Sequence, residues 1–240
     1  MMNEMTVGGL KIRLAGGVDG EGDGDGPLVI LLHGFGAPGD DLVPLAEVID
    51  APDGTRWLFP EGPLPLSLDF GGSRAWWIID FARIQEDRAA GRIRDLSVEV
   101  PQGLALARER MLGFLKELPR QIPIDYKKTV IGGFSQGAML TCDTVLQTGY
   151  PFAGLVQLSG SLLAQAVWGP LMTKRRGLPV FQSHGTKDDI LPYIGAERLR
   201  DALTQSGLGV EWHSFHGGHE IPYAVLHQLG GFLNKMFATA

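Results

Sequence analysis

A serine between two glycines is the first group in the chain that could carry out covalent chemistry. Residues 131–140 read IGGFSQGAML, so Ser135 lies in a G-x-S-x-G pattern, after apolar residues and before a predicted helix. At a strand-to-helix turn this pattern is typical of a nucleophilic serine, because the glycines leave room for a sharp bend. The pattern alone is not decisive, since a chain with 34 glycines among 240 residues can produce it by chance.

A serine hydroxyl needs a base, and the base needs an acid that orients it. The segment SHGTKDDILP contains Asp188 and Asp189, and the segment FHGGHEIP contains His219. Each segment follows a predicted strand, and the order Ser, Asp, His along the chain is that of α/β-hydrolases. We therefore predict a catalytic triad of Ser135, Asp188 and His219, and the spacing leaves Asp189 as the alternative acid.

Backbone N–H groups are suitable donors to the oxyanion of a tetrahedral intermediate. The loop HGFG follows a buried predicted strand, and Gln136 follows the serine directly. We predict that the N–H groups of Phe35 and Gln136 form an oxyanion hole. The other histidines are assigned structural places. We expect His33, His184 and His216 to brace loops. The side chain of His213, within a strand, is expected to face either packing or solvent, and His227 is expected to be exposed on the last helix.

No other cluster of reactive residues stands out. Cys142 is the only cysteine and lies in a predicted helix, so neither a cysteine nucleophile nor an internal disulfide is expected. No closely spaced histidine pair with a supporting carboxylate predicts a metal site. The acidic segment Asp19–Gly26 lacks the twelfth-position glutamate of an EF-hand loop and predicts a turn between two strands. No cofactor is expected.

The elements that must position these groups alternate between strand and helix. The predicted strands cover residues 6–14, 28–32, 57–59, 128–134, 155–158, 180–182 and 210–215, and the predicted helices cover residues 40–49, 102–118, 136–146, 194–204 and 222–237. This alternation predicts an α/β fold with a mostly parallel central sheet and helices on both faces. In such sheets ligands bind at the carboxyl ends of the strands, where the three triad candidates are found.

Composition excludes several classes of protein. A net charge of −6 and the lack of a long basic cluster argue against nucleic-acid binding. The N-terminal segment lacks the basic start and apolar run of a signal peptide, so none is expected. No stretch is apolar enough to insert stably in a membrane. The single cysteine favours the reducing cytoplasm. We expect one domain over residues 1–240 with a cap or loop insertion around residues 62–98, and the oligomeric state is left open, a homodimer included.

With these residues placed, the chain resembles the phospholipase/carboxylesterase family of α/β-hydrolases, which includes bacterial carboxylesterases and acyl-protein thioesterases. The resemblance extends from about residue 27 to residue 237 and rests on LLHGFGAPGDDL, GFSQGAML, SHGTKDDILP and GGHEIP. It implies an α/β-hydrolase fold, and it places the acid on Asp188 and not on Asp189.

A further motif bears on the substrate. Residues 72–77, GSRAWW, are similar to the family's G-x-R-x-W-[FW] motif, and the resemblance implies that Trp76 and Trp77 border an acyl pocket. The charged segment at residues 83–95 departs from the family pattern and is the expected place for a cap or loop peculiar to this protein. This departure leaves the size of the substrate open.

The predicted function is hydrolysis of carboxylic esters through an acyl-enzyme, with short- to medium-chain acyl esters as substrates and thioesters or lysophospholipids as further candidates. The residues expected on the acyl side are Phe35, Phe70, Trp76, Trp77 and Leu162. An acyltransferase would use the same acyl-enzyme with another acceptor. A ligand-binding relative without catalysis is the second alternative, which the presence of all three triad residues disfavours.

Overall fold

The structure, a computed structural model, describes residues 3–66, 72–80, 86, 89–90 and 95–238. The strands in these ranges are β1 (Asn3–Val7), β2 (Leu10–Gly16), β3 (Leu28–Leu32), β4 (Arg56–Pro60), β5 (Leu64–Pro65), β6 (Arg74–Ala75), β7 (Thr129–Phe134), β8 (Gly154–Leu158), β9 (Pro179–Gly185) and β10 (Gly209–Phe215). The α-helices that lie wholly within these ranges are α1 (Leu45–Val48), α2 (Leu104–Glu117), α3 (Gln136–Gln147), α4 (Gln165–Met172), α5 (Tyr193–Gln205) and α6 (Tyr223–Ala238). Single turns of 3₁₀-helix cover Leu96–Val98, Leu118–Arg120, Tyr126–Lys128 and Thr173–Arg175.

Eight of these strands form one sheet, in the order β1-β2-β4-β3-β7-β8-β9-β10. Strand β2 pairs antiparallel with β1 and with β4, and every other neighbouring pair in the sheet is parallel. Strands β5 and β6 form a separate two-stranded hairpin. The predicted α/β-hydrolase fold with a mostly parallel sheet is thereby confirmed. Parallel strands end at the same edge, so the loops after β3, β7, β9 and β10 emerge side by side.

Helices cover both faces of the sheet, and alternate side chains of its central strands point into the two cores that result. Ile30 and Ile131 belong to a core cluster completed by residues from α2, α3, α4 and α5. Their neighbours Val29 and Val130 belong to a second cluster, which is completed mainly by α6. Apolar residues at every position, as in LVILL of β3, therefore suit a strand covered on both sides.

The predicted edge strand at residues 6–14 was wrong, because this region is a hairpin. Strands β1 and β2 pair antiparallel, with Val7 opposite Leu10. The two residues between them, Gly8 and Gly9, have φ values of 57° and 81°. A two-residue turn with positive φ at both positions strongly favours glycine, so the pair Gly8 and Gly9 was a sequence signal for this turn.

Two helix predictions also differ from the structure. The helix predicted for residues 40–49 is reduced to α1, and turns precede it, because Pro44 disfavours helical conformation at the residue before it. Helix α4 was not predicted, since Gly169 and Pro170 in its interior are helix breakers. It forms because Trp168 is fully buried and its indole N–H donates to Asp143 Oδ1 at 2.8 Å.

The acidic segment after β2 is a turn, as predicted. Asp19 Oδ1 accepts hydrogen bonds from the N–H groups of Glu21 and Asp23, which folds the segment back on itself. Of the insertion expected around residues 62–98, the structure describes the β5–β6 hairpin and the turn Leu96–Val98, while most of residues 83–94 lie outside the described ranges.

Candidate active site

Ser135 lies between the end of β7 and the start of α3. Its φ and ψ are 54° and −116°, a conformation that residues with a Cβ rarely adopt. The Ser135 N–H donates to Leu158 O at 2.8 Å, which ties the bend to the neighbouring strand β8. The side chain therefore projects from the carboxyl edge of the sheet at the N-terminus of α3.

The glycines on either side make this bend sterically allowed. A Cβ on Gly133 would lie 2.5 Å from Leu32 O, and a Cβ on Gly137 would lie 2.2 Å from the same oxygen. Both distances are far shorter than a van der Waals contact, and the atom they meet is backbone. The two glycines let β7 and α3 pack directly against the end of β3.

His219 joins the serine to an acid. It lies in the loop after β10, where its Nε2 is 2.8 Å from Ser135 Oγ and its Nδ1 is 2.6 Å from Asp188 Oδ2. A carboxylate can only accept, so Nδ1 carries the proton and Nε2 is left as an acceptor for the serine hydroxyl. The ring of Phe134 packs against the imidazole, with the ring centroids 4.8 Å apart.

The Asp188 carboxylate is held by four donors. Its Oδ1 accepts from the N–H groups of Ile190 and Leu191, at 2.9 Å and 2.8 Å, and His184 Nε2 lies 3.2 Å from the Oδ2 that faces His219. Burial raises the pKa of this carboxyl, but the hydrogen bonds from His184, His219 and the Leu191 N–H outweigh it and hold the pKa below its usual range. Asp188 is therefore ionised at neutral pH and keeps the imidazole oriented.

The alternative acid and the remaining histidines lie elsewhere. Asp189 is exposed, and it is Asp188 that the structure brings to His219. His213 stacks on Phe181, with the ring centroids 4.7 Å apart, within β10. His33 and His216 lie in loops, His184 lies near the end of β9, and His227 lies on α6. His33 and His184 are buried, and His216 and His227 are exposed.

The loop after β3 packs beside the serine. A Cβ on Gly34 would lie 3.3 Å from Ser135 Cβ, so the absence of a side chain permits this close approach. The Gly36 N–H donates to Arg74 O, which anchors the loop to β6. Phe35 and Gln136, the candidates for the oxyanion hole, line the same cavity as Ser135 and His219. Their role as donors stays a prediction.

That cavity has a volume of about 570 Å³ and a largely apolar lining. Its apolar walls include Trp77, Ile79, Val100, Met139, Leu163 and Leu191. Met139 lies one helical turn beyond the serine, and Leu191 lies in the loop of the acid, so spacing from Ser135 and Asp188 was a usable signal for both.

The residues predicted on the acyl side do not all line the cavity of Ser135. Trp77 and Phe35 line the cavity of Ser135. Trp76 lies against a neighbouring cavity of about 650 Å³, and Leu162 against a third of about 320 Å³ beside Ser161. Leu163, and not Leu162, lines the cavity of the serine. Phe70 lies outside the described residues.

Two other features bear on the class of site. Within the ranges that the structure describes, no three histidine, cysteine, aspartate or glutamate side chains gather as metal ligands would. None of the described helices is both long and apolar enough to span a membrane.

Comparison with known proteins agrees with the motifs. A family model described as Phospholipase/Carboxylesterase matches residues 18–237. Acyl-protein thioesterase 1 of Cryptococcus neoformans is 29% identical over 193 residues, which cover 74% of this chain and 72% of that protein. Acyl-protein thioesterase 1 of Neurospora crassa is 27% identical over 216 residues, which cover 86% and 85%. The crystal structure of esterase PE8 superposes with a TM-score of 0.79 at 28% identity, covering 95% of this chain and 99% of that one.

Proposed function

The chain belongs to the phospholipase/carboxylesterase family of α/β-hydrolases, and on that basis we propose that it cleaves carboxylic esters or thioesters of short or medium acyl chains through an acyl-enzyme on Ser135. The observation that carries the proposal is the continuous hydrogen-bonded chain from Ser135 Oγ through His219 to Asp188, with distances of 2.8 Å and 2.6 Å. Relatives named as thioesterases and carboxylesterases support an acyl carbonyl as the reacting group.

In the first half of the reaction Ser135 Oγ attacks the acyl carbonyl carbon while its proton passes to His219 Nε2. The imidazolium that forms is stabilised by the Asp188 carboxylate on Nδ1. The carbonyl oxygen becomes an oxyanion, which the N–H groups of Phe35 and Gln136 would stabilise together with the N-terminus of α3. When the tetrahedral intermediate collapses, the bond to the alcohol or thiol breaks and His219 protonates that leaving group.

In the second half, water replaces the leaving group. His219 Nε2 removes a proton from the water as its oxygen attacks the acyl carbonyl of the ester on Ser135. Collapse of this second intermediate releases the carboxylic acid and returns the proton to Ser135 Oγ. Both halves use the same histidine tautomer and the same oxyanion position, so one preorganised site serves the whole cycle.

The apolar cavity supports an acyl chain as the specificity element. Burial of each methylene against residues such as Trp77, Met139 and Leu163 contributes about 0.8 kcal/mol, or about fourfold in kcat/KM. We expect kcat/KM to rise by this factor per methylene until the cavity is filled and then to level off or fall. A series of p-nitrophenyl esters from acetate to palmitate measures this dependence.

The nucleophile is tested with the Ser135→Ala variant. We expect it to lose activity toward p-nitrophenyl butyrate and the corresponding thioester, while Ser214→Ala, at an exposed position of β10, keeps it. A fluorophosphonate should label the wild type at Ser135 only, as peptide mapping would show. Undiminished turnover in the Ser135→Ala variant, or labelling at another serine, would refute the mechanism. Product analysis with added alcohol or amine acceptors separates hydrolysis from acyl transfer.

A further inference from the structure

The side chain of Gln136 makes two hydrogen bonds that triad chemistry does not require. Its Nε2 donates to Trp77 O at 2.8 Å, and its Oε1 accepts from the Trp76 N–H at 2.9 Å. The residue is fully buried, so both bonds are shielded from water. The side-chain amide of the first residue of α3 is thus hydrogen-bonded to the backbone of residues 76–77 at two points.

Trp76 carries this connection to the loop after β3. Its indole Nε1–H donates to His33 O at 3.0 Å, and its ring lies against the imidazole with centroids 5.5 Å apart. Trp76 is buried, and its indole is directed to the loop after β3, whereas Trp77 lines the cavity of Ser135.

His33 extends the connection to the peptide between Gly34 and Phe35, which carries one of the two predicted oxyanion donors. Its Nε2 accepts from the Gly62 N–H at 2.9 Å, so its proton is on Nδ1, which donates to Gly34 O at 2.7 Å. Burial lowers the pKa of His33, which keeps the ring neutral in this tautomer. Gly34 O belongs to the same planar peptide as the Phe35 N–H, so fixing the oxygen fixes the direction of that N–H. Hydrogen bonding to a carbonyl also strengthens the N–H of the same peptide as a donor.

We propose that Gln136, Trp76 and His33 are positioning residues whose side chains set the separation and direction of the two oxyanion-donating N–H groups. One donor, the Gln136 N–H, is on the residue that begins the connection, and the other, the Phe35 N–H, is on the peptide where it ends. The inference rests on the proposed acyl-enzyme function. It assigns Trp76, the first tryptophan of the GSRAWW segment, to the positioning of the oxyanion donors and not to contact with the acyl chain.

The test removes the indole N–H and replaces the indole with a smaller aromatic ring. The Trp76→Phe variant should lower kcat about 10- to 100-fold, while KM stays within threefold of wild type. This fall in kcat is at most about as large as that caused by removing one oxyanion donor outright. Binding of a trifluoromethyl ketone, whose hemiketal carries an oxyanion, should weaken by the same factor. Because the triad is untouched, the pH profile of kcat/KM should keep its shape.

A matched control separates positioning from general damage. Trp168→Phe removes an equally buried indole hydrogen bond, to Asp143, which lies about two turns along α3 from Ser135. It should leave kcat and ketone binding within twofold even where it lowers Tm. Gln136→Met, which keeps the backbone N–H and the volume but loses both side-chain bonds, should reproduce the Trp76→Phe effect. Wild-type kcat in Trp76→Phe, or an equal loss in Trp168→Phe, would overturn this inference alone. A wild-type protein that hydrolyses no acyl ester or thioester would overturn the proposed function instead.

Discussion

Replacing Asp188 by asparagine should reverse one hydrogen bond and thereby switch the base off. Asp188 Oδ1 accepts from two backbone N–H groups, those of Ile190 and Leu191. An asparagine must place its amide oxygen in the position of Oδ1, because an NH₂ group there would face the two backbone N–H donors. Its NH₂ group then takes the place of Oδ2 and faces His219 Nδ1, as well as His184 Nε2, which lies 3.2 Å from that oxygen.

Two donors cannot share that 2.6 Å contact, so the imidazole proton moves to Nε2. An Nε2 that carries a proton cannot accept one from Ser135 Oγ. We expect kcat to fall about 10⁴-fold, the size of effect found when the aspartate of a triad becomes asparagine, with little change in KM. Asp189→Asn, at the exposed neighbouring position, should retain wild-type kcat.

The assay is steady-state hydrolysis of p-nitrophenyl butyrate by the three proteins, each checked for folding by circular dichroism. Proton NMR adds a direct view of the bond. The short Nδ1–H···Oδ2 contact should give a strongly downfield resonance in the wild type and in Asp189→Asn, and none in Asp188→Asn. A folded Asp188→Asn variant with kcat within tenfold of wild type would refute the tautomer argument. Loss of activity in Asp189→Asn would move the acid to that residue.

Three other predictions concern stability and reactivity. Gly137→Ala should lower the free energy of unfolding by about 3 kcal/mol in urea titrations, because the new Cβ meets backbone atoms of the β3 end, whereas Gly149→Ala, with open space around it, should change it little. Because the folded pKa of Asp188 is lowered, its contribution to stability is present above the unfolded pKa of about 3.9 and is lost as pH falls further. Urea unfolding between pH 3 and 6 should show this dependence in the wild type, and an equal dependence in Asp188→Asn would contradict it. Burial raises the pKa of the Cys142 thiol, so Ellman's reagent at pH 8 should label it only after unfolding, and rapid labelling of the folded protein would refute its burial.

The parts of the site that could be predicted from the sequence are those set by local rules. Gly133 and Gly137 are required by a sharp bend, and the bend in turn places Ser135 at the edge of the sheet. Asp188 and His219 each come directly after a strand, so parallel topology alone brings them to the same edge. The hydrogen bonds that join Asp188 to His219 and His219 to Ser135 follow from that shared edge.

What could not be predicted depends on geometry that sequence periodicity does not carry. The choice between Leu162 and Leu163 requires counting side-chain directions along the chain after β8. Ser159 and Ala164, with φ values of 49° and 43°, interrupt any regular alternation there. Trp76 and Trp77 are adjacent and chemically alike. The contacts of the Trp76 indole with His33 distinguish the residue that braces the loop from Trp77, which lines the cavity.

The hairpin β1–β2 and helix α4 show two different reasons for failure. For the hairpin, the signal was present in Gly8–Gly9, and the weak alternation around it was extended through the turn. For α4, local propensity pointed the wrong way. The breakers Gly169 and Pro170 are tolerated because burial of Trp168 and its bond to Asp143 stabilise the helix through tertiary contacts.

At position 135 the requirements of folding stability and of catalysis conflict. A non-glycine residue held in such a sparsely populated conformation costs on the order of 1–3 kcal/mol. Glycine would relieve most of that strain and would also remove the hydroxyl, so the amino acid that suits the fold at this position cannot perform the reaction. Directed evolution of this chain for heat resistance, without a screen for activity, should therefore tend to discard its nucleophile.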